Sequence, residues 1–135
     1  MIVVDASVLI ETLLLGRTAA HVFQALREES SLHVPELVDL EVAQVLRRYE
    51  RRRDISRSRA ENAMVDYRSL GLVRHSISMF LPRIWQLRNN MTAYDACYVA
   101  LAESLDAVVL TLDARLASAV GTTARIRLIA PGEAS

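Results

Sequence analysis

Four acidic side chains of this 135-residue chain lie inside or beside its most apolar segments. They are Asp5, Glu41, Asp95 and Asp113. A carboxylate close to a protein core destabilises the fold unless it is paired or binds a metal. The chain contains no lysine that could pair with these acids. A divalent cation shared between them is therefore the first hypothesis.

Each acid also has a purely structural interpretation. Asp5 and Asp113 each follow a strand-like apolar run and can cap the helix that comes next. Thr92 and Asp95 have the spacing of a capping box, and Glu41 can pair with a nearby arginine. The combination favours a metal site, because four inward acids without basic neighbours at helical spacing would repel one another.

The predicted ligands are all carboxylate oxygens, which suit Mg²⁺ or Mn²⁺ better than zinc. Ser7 and Thr111 lie near the first and last acids and can orient a carboxylate or hold a water molecule. Asp39 is a weaker candidate, because its helical position faces a different direction from that of Glu41. The histidines show no ligand spacing. Three aromatic residues are predicted to be core residues: Trp85, Tyr94 and Tyr98.

Short apolar strands alternate with helical segments along the chain, a pattern typical of a parallel sheet covered by helices. Pro35 is predicted in the first turn of a helix, and Asp5 and Asp113 at the carboxyl ends of strands. Ligands bind beyond such ends, near the point where the strand order reverses. The predicted strands are 1–5, 32–34, 72–73, 107–112 and 126–129. The predicted helices are 7–15, 18–29, the segment after Pro35, 56–70, 78–89, 92–105 and 113–120.

Length and composition indicate a single domain over residues 1–135, with 52% apolar residues and one cysteine, Cys97. No intramolecular disulfide can form, so a cytoplasmic location is expected, and no apolar run reaches membrane-spanning length. The formal charge is zero, but residues 47–59 contain seven arginines against two acids. This basic strip can steer a polyanion towards the carboxylates, or it is simply the solvated end of a helix.

Four motifs, in this order and spacing, resemble the PIN-domain ribonucleases, and most closely the VapC toxins of bacterial toxin–antitoxin modules. They cover nearly the whole chain. The matching segments are Ile2-Val3-Val4-Asp5-Ala6-Ser7, then 35–46 with Glu41, then 91–103 with Asp95, and Leu110-Thr111-Leu112-Asp113-Ala114-Arg115-Leu116.

The resemblance implies a three-layer α/β/α sandwich with a central, mainly parallel five-stranded sheet. It places Asp5, Glu41, Asp95 and Asp113 at the four acidic positions of a metal-dependent endoribonuclease. Asp5 and Asp95 are the first choices as metal ligands. Structured RNA such as tRNA or rRNA would be cleaved to 5′-phosphate and 3′-hydroxyl ends. The family also implies a homodimer, and a cognate antitoxin whose C-terminal segment covers the active-site groove.

Two other functions are compatible with the same residues. A non-catalytic PIN-like module would bind RNA or a partner protein and cleave nothing. A small phosphatase would release phosphate from monoesters and leave internal linkages intact. The role of the arginines in residues 47–59 is left open by the resemblance.

Overall fold

The computed structural model of the chain describes residues 1–129. The last six residues of the predicted single domain, 130–135, lie outside the described residues. The strands are β1 Ile2–Val4, β2 Leu32–Pro35, β3 Leu72–His75, β4 Val108–Thr111 and β5 Ile126–Leu128. The helices are α1 Ala6–Leu14, α2 Ala19–Leu26, α3 Val38–Arg51, α4 Arg57–Arg68, α5 Leu81–Gln86, α6 Ala93–Leu105 and α7 Ala114–Ala117.

The five strands form one sheet in the order β3-β2-β1-β4-β5, and every neighbouring pair is parallel. The order reverses between β1 and β4, where Ile2 pairs with Val108 and Val4 pairs with Leu110. The predicted three-layer α/β/α architecture with a parallel five-stranded sheet is confirmed. The reversal creates a crevice at the carboxyl ends of β1 and β4.

The two central strands are buried because helices cover both faces of the sheet. Helix α6 packs against β1, β2 and β4, and its residues from Ala96 to Ala102 are all buried. Helix α1 packs against β4 and against helices α2, α3 and α4, and it buries Val8 and Leu9. Helix α6, which carries Asp95, is thus held directly on the sheet, whereas α3, which carries Glu41, is held through its packing against α1.

Three local predictions differ from the structure. Pro35 is the last residue of β2 rather than a helical residue, because the backbone N–H that continues the ladder to His75 comes from Glu36. The helix predicted from 78 to 89 is a 3₁₀ turn over Ser78–Phe80 followed by α5. The helix predicted to reach residue 120 ends at Ala117.

Within residues 1–129, no single helix has both the length and the apolarity to cross a membrane. Helices α1 and α2 satisfy both criteria only when they are counted as one segment, and the chain bends by 115° between them.

Leu15 ends α1 in the left-handed conformation, with φ 52° and a side chain that is 63% exposed. A residue with a Cβ is strained there by about 1 kcal/mol or more, whereas glycine is not. We expect Leu15→Gly to unfold at a higher temperature than Leu15→Ala, because both variants remove the exposed side chain and only Gly removes the strain. Thermal unfolding followed by circular dichroism measures the difference. Equal melting temperatures would contradict the strain.

Candidate active site

Two of the four acids stand at the point where the strand order reverses. Asp5 directly follows β1, and Asp113 comes two residues after β4, the neighbouring strand. The backbone N–H of Asp113 donates to Thr111 Oγ1 at 2.9 Å, which fixes the chain as it leaves β4. Both carboxylates therefore occupy the same edge of the sheet, as the sequence predicts.

The Asp5 carboxylate is held by neutral donors only. Its Oδ1 accepts from Ser7 Oγ at 2.5 Å and from the Val8 backbone N–H at 3.2 Å. Its Oδ2 accepts from Thr111 Oγ1 at 2.5 Å. Ser7 Oγ in turn accepts from the backbone N–H of Leu112 at 3.0 Å. The cap predicted for Asp5 is present, and the two hydroxyls also fix the direction of its carboxylate.

Burial sets the electrostatics of Asp5, whose exposed fraction is 6%. Desolvation raises the pKa of its carboxyl above the usual range, and the charge of Asp113 adds to that effect. The hydrogen bonds from Ser7, Thr111 and Val8 act in the opposite direction. No ion pair to Asp5 exists within residues 1–129. The buried carboxylate thus has no counter-charge within the described residues, and a cation bound beside it would stabilise its ionised form.

Glu41 reaches the same region from α3, opposite Tyr98 of α6. The Tyr98 hydroxyl donates to Glu41 Oε1 at 2.5 Å. Burial raises the pKa of Glu41, the hydrogen bond from Tyr98 opposes that rise, and the charges of Asp5 and Asp95 add to it. Tyr98 stays protonated, because burial first and the Glu41 charge second raise the pKa of its hydroxyl. Glu41 is therefore both positioned by a neutral donor and electrostatically coupled to two other acids.

Asp95 and Asp113 have a basic partner, contrary to the expectation that the acids lack one. The Arg115 guanidinium pairs with both carboxylates, and its contact with Asp113 Oδ2 is 3.1 Å. The backbone N–H of Arg115 also donates to Asp113 Oδ1 at 2.9 Å, which is the predicted helix cap. The Asp95 backbone N–H donates to Thr92 Oγ1 at 3.2 Å, so the helix is capped as predicted. The Asp95 side chain, which is 13% exposed, is used for Arg115.

The carboxylate oxygens of the four acids suit a hard divalent cation, although they do not converge on one point. No three acidic, histidine or cysteine side chains within residues 1–129 converge closely enough to hold a metal ion together. Asp5 and Glu41 pair with no basic side chain of residues 1–129, while Arg115 supplies the positive charge at Asp95 and Asp113. Binding of a metal by all four acids therefore requires the Arg115 guanidinium to move away.

Several residues near the site were not predicted from the sequence. Arg115 was overlooked although it follows Asp113 by only two positions. Tyr98 is buried as predicted, but Tyr94 is 61% exposed and Trp85 is 67% exposed, so the prediction of core positions was wrong for both. Tyr94 lies in the first turn of α6 and Trp85 near the C-terminal end of the short helix α5, where one face remains open to solvent.

The residues expected to lie outside the site do so. Asp39 faces α4 and β3, where it accepts from Tyr67 Oη at 2.5 Å and from Arg74 Nε at 3.0 Å. His33 and His75 contact each other across β2 and β3 at 2.8 Å. His21 lines a separate depression beside Arg127.

Comparison with known proteins agrees with this geometry. A model of the PIN domain matches residues 2–121 of the chain. The chain belongs to the PIN-domain family. Its similarity extends to individual ribonucleases of that family, in alignments that cover most of both chains.

Three mycobacterial relatives illustrate this similarity. The VapC ribonuclease Mb0985 of Mycobacterium bovis is 42% identical over 86% of this chain and 88% of its own length. Ribonuclease VapC1 of Mycobacterium tuberculosis is 40% identical over 94% of this chain and 96% of its own length. Ribonuclease VapC12 of Mycobacterium tuberculosis is 38% identical over 96% of this chain and all of its own length.

Two solved structures share the fold. The crystal structure of PAE2754 from Pyrobaculum aerophilum superposes with a TM-score of 0.67 at 24% identity, over 92% of this PIN domain and 81% of that chain. The crystal structure of VapBC2 from Rickettsia felis, bound to a DNA fragment from its promoter, gives a TM-score of 0.65 at 11% identity, over 95% and 98%.

Arg115 generates a prediction about metal binding. We expect Arg115→Gln to bind Mn²⁺ up to about fivefold more tightly than the wild type, because the exposed ion pairs no longer have to break first. Isothermal titration calorimetry measures the affinity. Arg125→Gln is the matched control, because it removes an exposed arginine near Asp106, at the opposite end of β4. Equal or weaker Mn²⁺ binding by Arg115→Gln would show that the guanidinium does not compete.

Proposed function

We propose that this PIN domain is a divalent-metal-dependent endoribonuclease and the toxin of a toxin–antitoxin pair. The observation that carries the proposal is the electrostatic coupling of Glu41 to Asp5 and Asp95, and of Asp5 to Asp113, with Asp5 buried and without an ion pair in the described residues. Support comes from the relatives that are 38–42% identical over most of the chain and are named as VapC ribonucleases. The substrate is structured RNA such as tRNA or rRNA, in the cytoplasm.

Each acid has a proposed role. Asp5 and Asp95 are direct ligands of Mg²⁺ or Mn²⁺, and Glu41 and Asp113 complete the site directly or through water. A divalent cation bound there would activate a water molecule for attack on phosphorus and offset the charge that grows on the phosphoryl oxygens. RNA hydrolysis would leave 5′-phosphate and 3′-hydroxyl ends.

The surrounding residues keep the acids in position for this chemistry. Ser7 and Thr111 hold both oxygens of Asp5 from opposite sides, so the carboxylate does not rotate towards solvent. Tyr98 holds Glu41 Oε1 and leaves the other oxygen, Oε2, available. The shell of donors is neutral, so it fixes direction without cancelling the negative charge that attracts the cation.

The proposal includes partners. A cognate antitoxin would cover the active-site groove with its C-terminal segment, and two copies of this chain would form a homodimer. The solved VapBC2 complex has the same fold and supports the antitoxin by analogy.

One observation favours the second candidate function, a non-catalytic module that docks RNA or a partner protein. Arg115 neutralises two of the four acids, as a structural ion-pair network would. The two functions differ in whether any metal concentration allows RNA cleavage.

The decisive variant is Asp5→Asn. It keeps the size of the side chain and an oxygen for Ser7 or Thr111, but removes the charge. We expect it to lower kcat/KM on structured RNA by at least about 100-fold, and EDTA to abolish wild-type cleavage. Gel analysis of RNA fragments with Mg²⁺, Mn²⁺ or EDTA measures both effects.

Asp66→Asn is the control, because Asp66 is an exposed acid of α4 away from the crevice. It should cleave like the wild type. Wild-type cleavage that survives chelation, or full activity of Asp5→Asn, would remove the metal-ligand role. RNA binding by the wild type without cleavage at any metal concentration would establish the non-catalytic module instead.

A further inference from the structure

A groove of about 420 Å³ begins beside the acidic crevice and follows α3. Its walls include Tyr94 and Leu40 at one end, Glu41 and Gln44 in the middle, and Arg48 at the other end. We call this surface the α3 groove. It joins an aromatic ring, a site carboxylate and a guanidinium in one continuous depression.

The spacing of α3 places two arginines in line with Glu41. Arg48 follows Glu41 by seven residues, and Arg52 follows by eleven, so all three lie within about 20° of one line along the helix. Arg48 is about 11 Å along the helix axis from Glu41. Glu50, the acid nearest to these arginines in sequence, projects about 180° away from Glu41. The line of arginines is therefore not cancelled by that acid.

Arg48 is also available to a ligand. Its side chain makes no ion pair or hydrogen bond within residues 1–129, and its guanidinium lies 6.0 Å from the centre of the ring of its neighbour Tyr49. It lines a second depression as well, which contains Ser7 and Leu112 on the other side of the site. A single exposed arginine thus borders the crevice from two directions.

Tyr94 supplies the other end of the α3 groove. Its ring is 61% exposed, although the next residue, Asp95, is almost covered. An exposed aromatic ring beside charged groups provides a platform on which an unpaired base can stack. Leu40, which is also exposed, extends the apolar surface next to this ring.

We propose that a single strand of RNA lies along the α3 groove, with one base stacked on Tyr94 and its phosphates bound by Arg48 and Arg52. The strand passes Glu41, which brings an internal phosphodiester to the acids. This inference rests on the proposed function and adds the path of the substrate. An unpaired loop of a structured RNA presents the splayed bases and accessible phosphates that such a groove can bind.

RNA fits the α3 groove better than a protein segment does. Its two ends offer stacking and positive charge, which match the base and the phosphate of a nucleotide. A helix or strand of a partner protein would place Arg48 against apolar side chains without an anion. The line from Arg48 to Arg52 also continues beyond the groove, as an extended polyanion requires.

The test compares two neighbouring arginines that differ only in direction. Arg48→Ala removes the guanidinium in line with Glu41, whereas Arg47→Ala removes an exposed guanidinium that projects about 120° away from it. Both variants are made in the Asp5→Asn background and studied in EDTA, so that binding is measured without cleavage. The probe is a fluorescein-labelled single-stranded RNA of mixed sequence, followed by fluorescence anisotropy.

We expect Arg48→Ala to weaken RNA binding about 3- to 10-fold and to reduce the slope of log K against log salt by about 0.7, the value for one phosphate contact on a single strand. Arg47→Ala should change the affinity less than twofold. Arg48→Lys should recover most of the affinity, because it restores the charge, and it serves as the folded comparison if Arg48→Ala is unstable.

The aromatic end is tested in the same assay. Tyr94→Ala should weaken binding about 5- to 100-fold, and Tyr94→Phe should bind like the wild type because the ring is retained. Trp85→Ala is the control, since it removes an exposed ring of α5 that does not line the α3 groove.

Equal losses for Arg48→Ala and Arg47→Ala would show that RNA is held by diffuse charge, and would overturn the path. Unchanged RNA binding in Arg48→Ala and Tyr94→Ala, together with lost binding to a partner protein, would identify a protein-docking groove and would also overturn it. If the variants bind RNA as expected but the wild-type protein cleaves no RNA, the path is supported and the proposed nuclease activity is excluded. If the wild-type protein cleaves RNA but the Arg48 and Tyr94 variants bind RNA as tightly as their parent, the nuclease activity is supported and the path is excluded.

Discussion

The site depends on one buried carboxylate that has no cationic partner in the described part of the chain. Asp5 ends the central strand β1, and the fold hides it behind α1 and β4. Removing a charge from water is tolerated only where hydrogen bonds or a counter-ion compensate. Ser7, Val8 and Thr111 supply the hydrogen bonds, and all three donors come from the elements that bury the acid. The reversal of the strand order therefore places Asp5 at the site and also buries it, so that its negative charge needs compensation.

For Asp95 and Asp113, the compensating positive charge comes from Arg115. Its guanidinium bridges Asp95 and Asp113, which belong to different elements and would otherwise repel one another. The guanidinium side of the bridge is exposed although Asp95 is largely covered, so water can replace the ion pairs and the bridge can open at small cost. A guanidinium that leaves two carboxylates is free to meet an anion. The protein thus has an internal counter-ion at the site, which a divalent cation would have to replace before all four acids could bind it together.

The sequence predicted the sheet edge well because it is determined by local pattern. The apolar runs before Asp5 and Asp113 are typical of the buried strands of a parallel sheet, and the carboxyl ends of such strands lie at one edge. The direction of Arg115 and the exposure of Tyr94 depend instead on how α7 and α6 are placed after folding. Pro35 shows the same limit: its preference for a first helical turn was outweighed by pairing with β3. The metal and catalytic roles of the four acids stay predictions, because location alone does not establish them.

The acidic residues of the site and the arginines of α3 lie on separate parts of one surface. A crevice with four acids repels RNA, so a polyanion reaches it only if positive charge nearby offsets that repulsion. In the proposed path, Arg48 and Arg52 would provide this charge outside the crevice, where it would attract phosphates without neutralising Asp5 or Glu41. Arginines placed inside the crevice would attract the substrate equally well, but they would occupy the carboxylates, as Arg115 does. Separating the basic line from the acids by two helical turns of α3 allows one surface to bind a cation and a polyanion side by side.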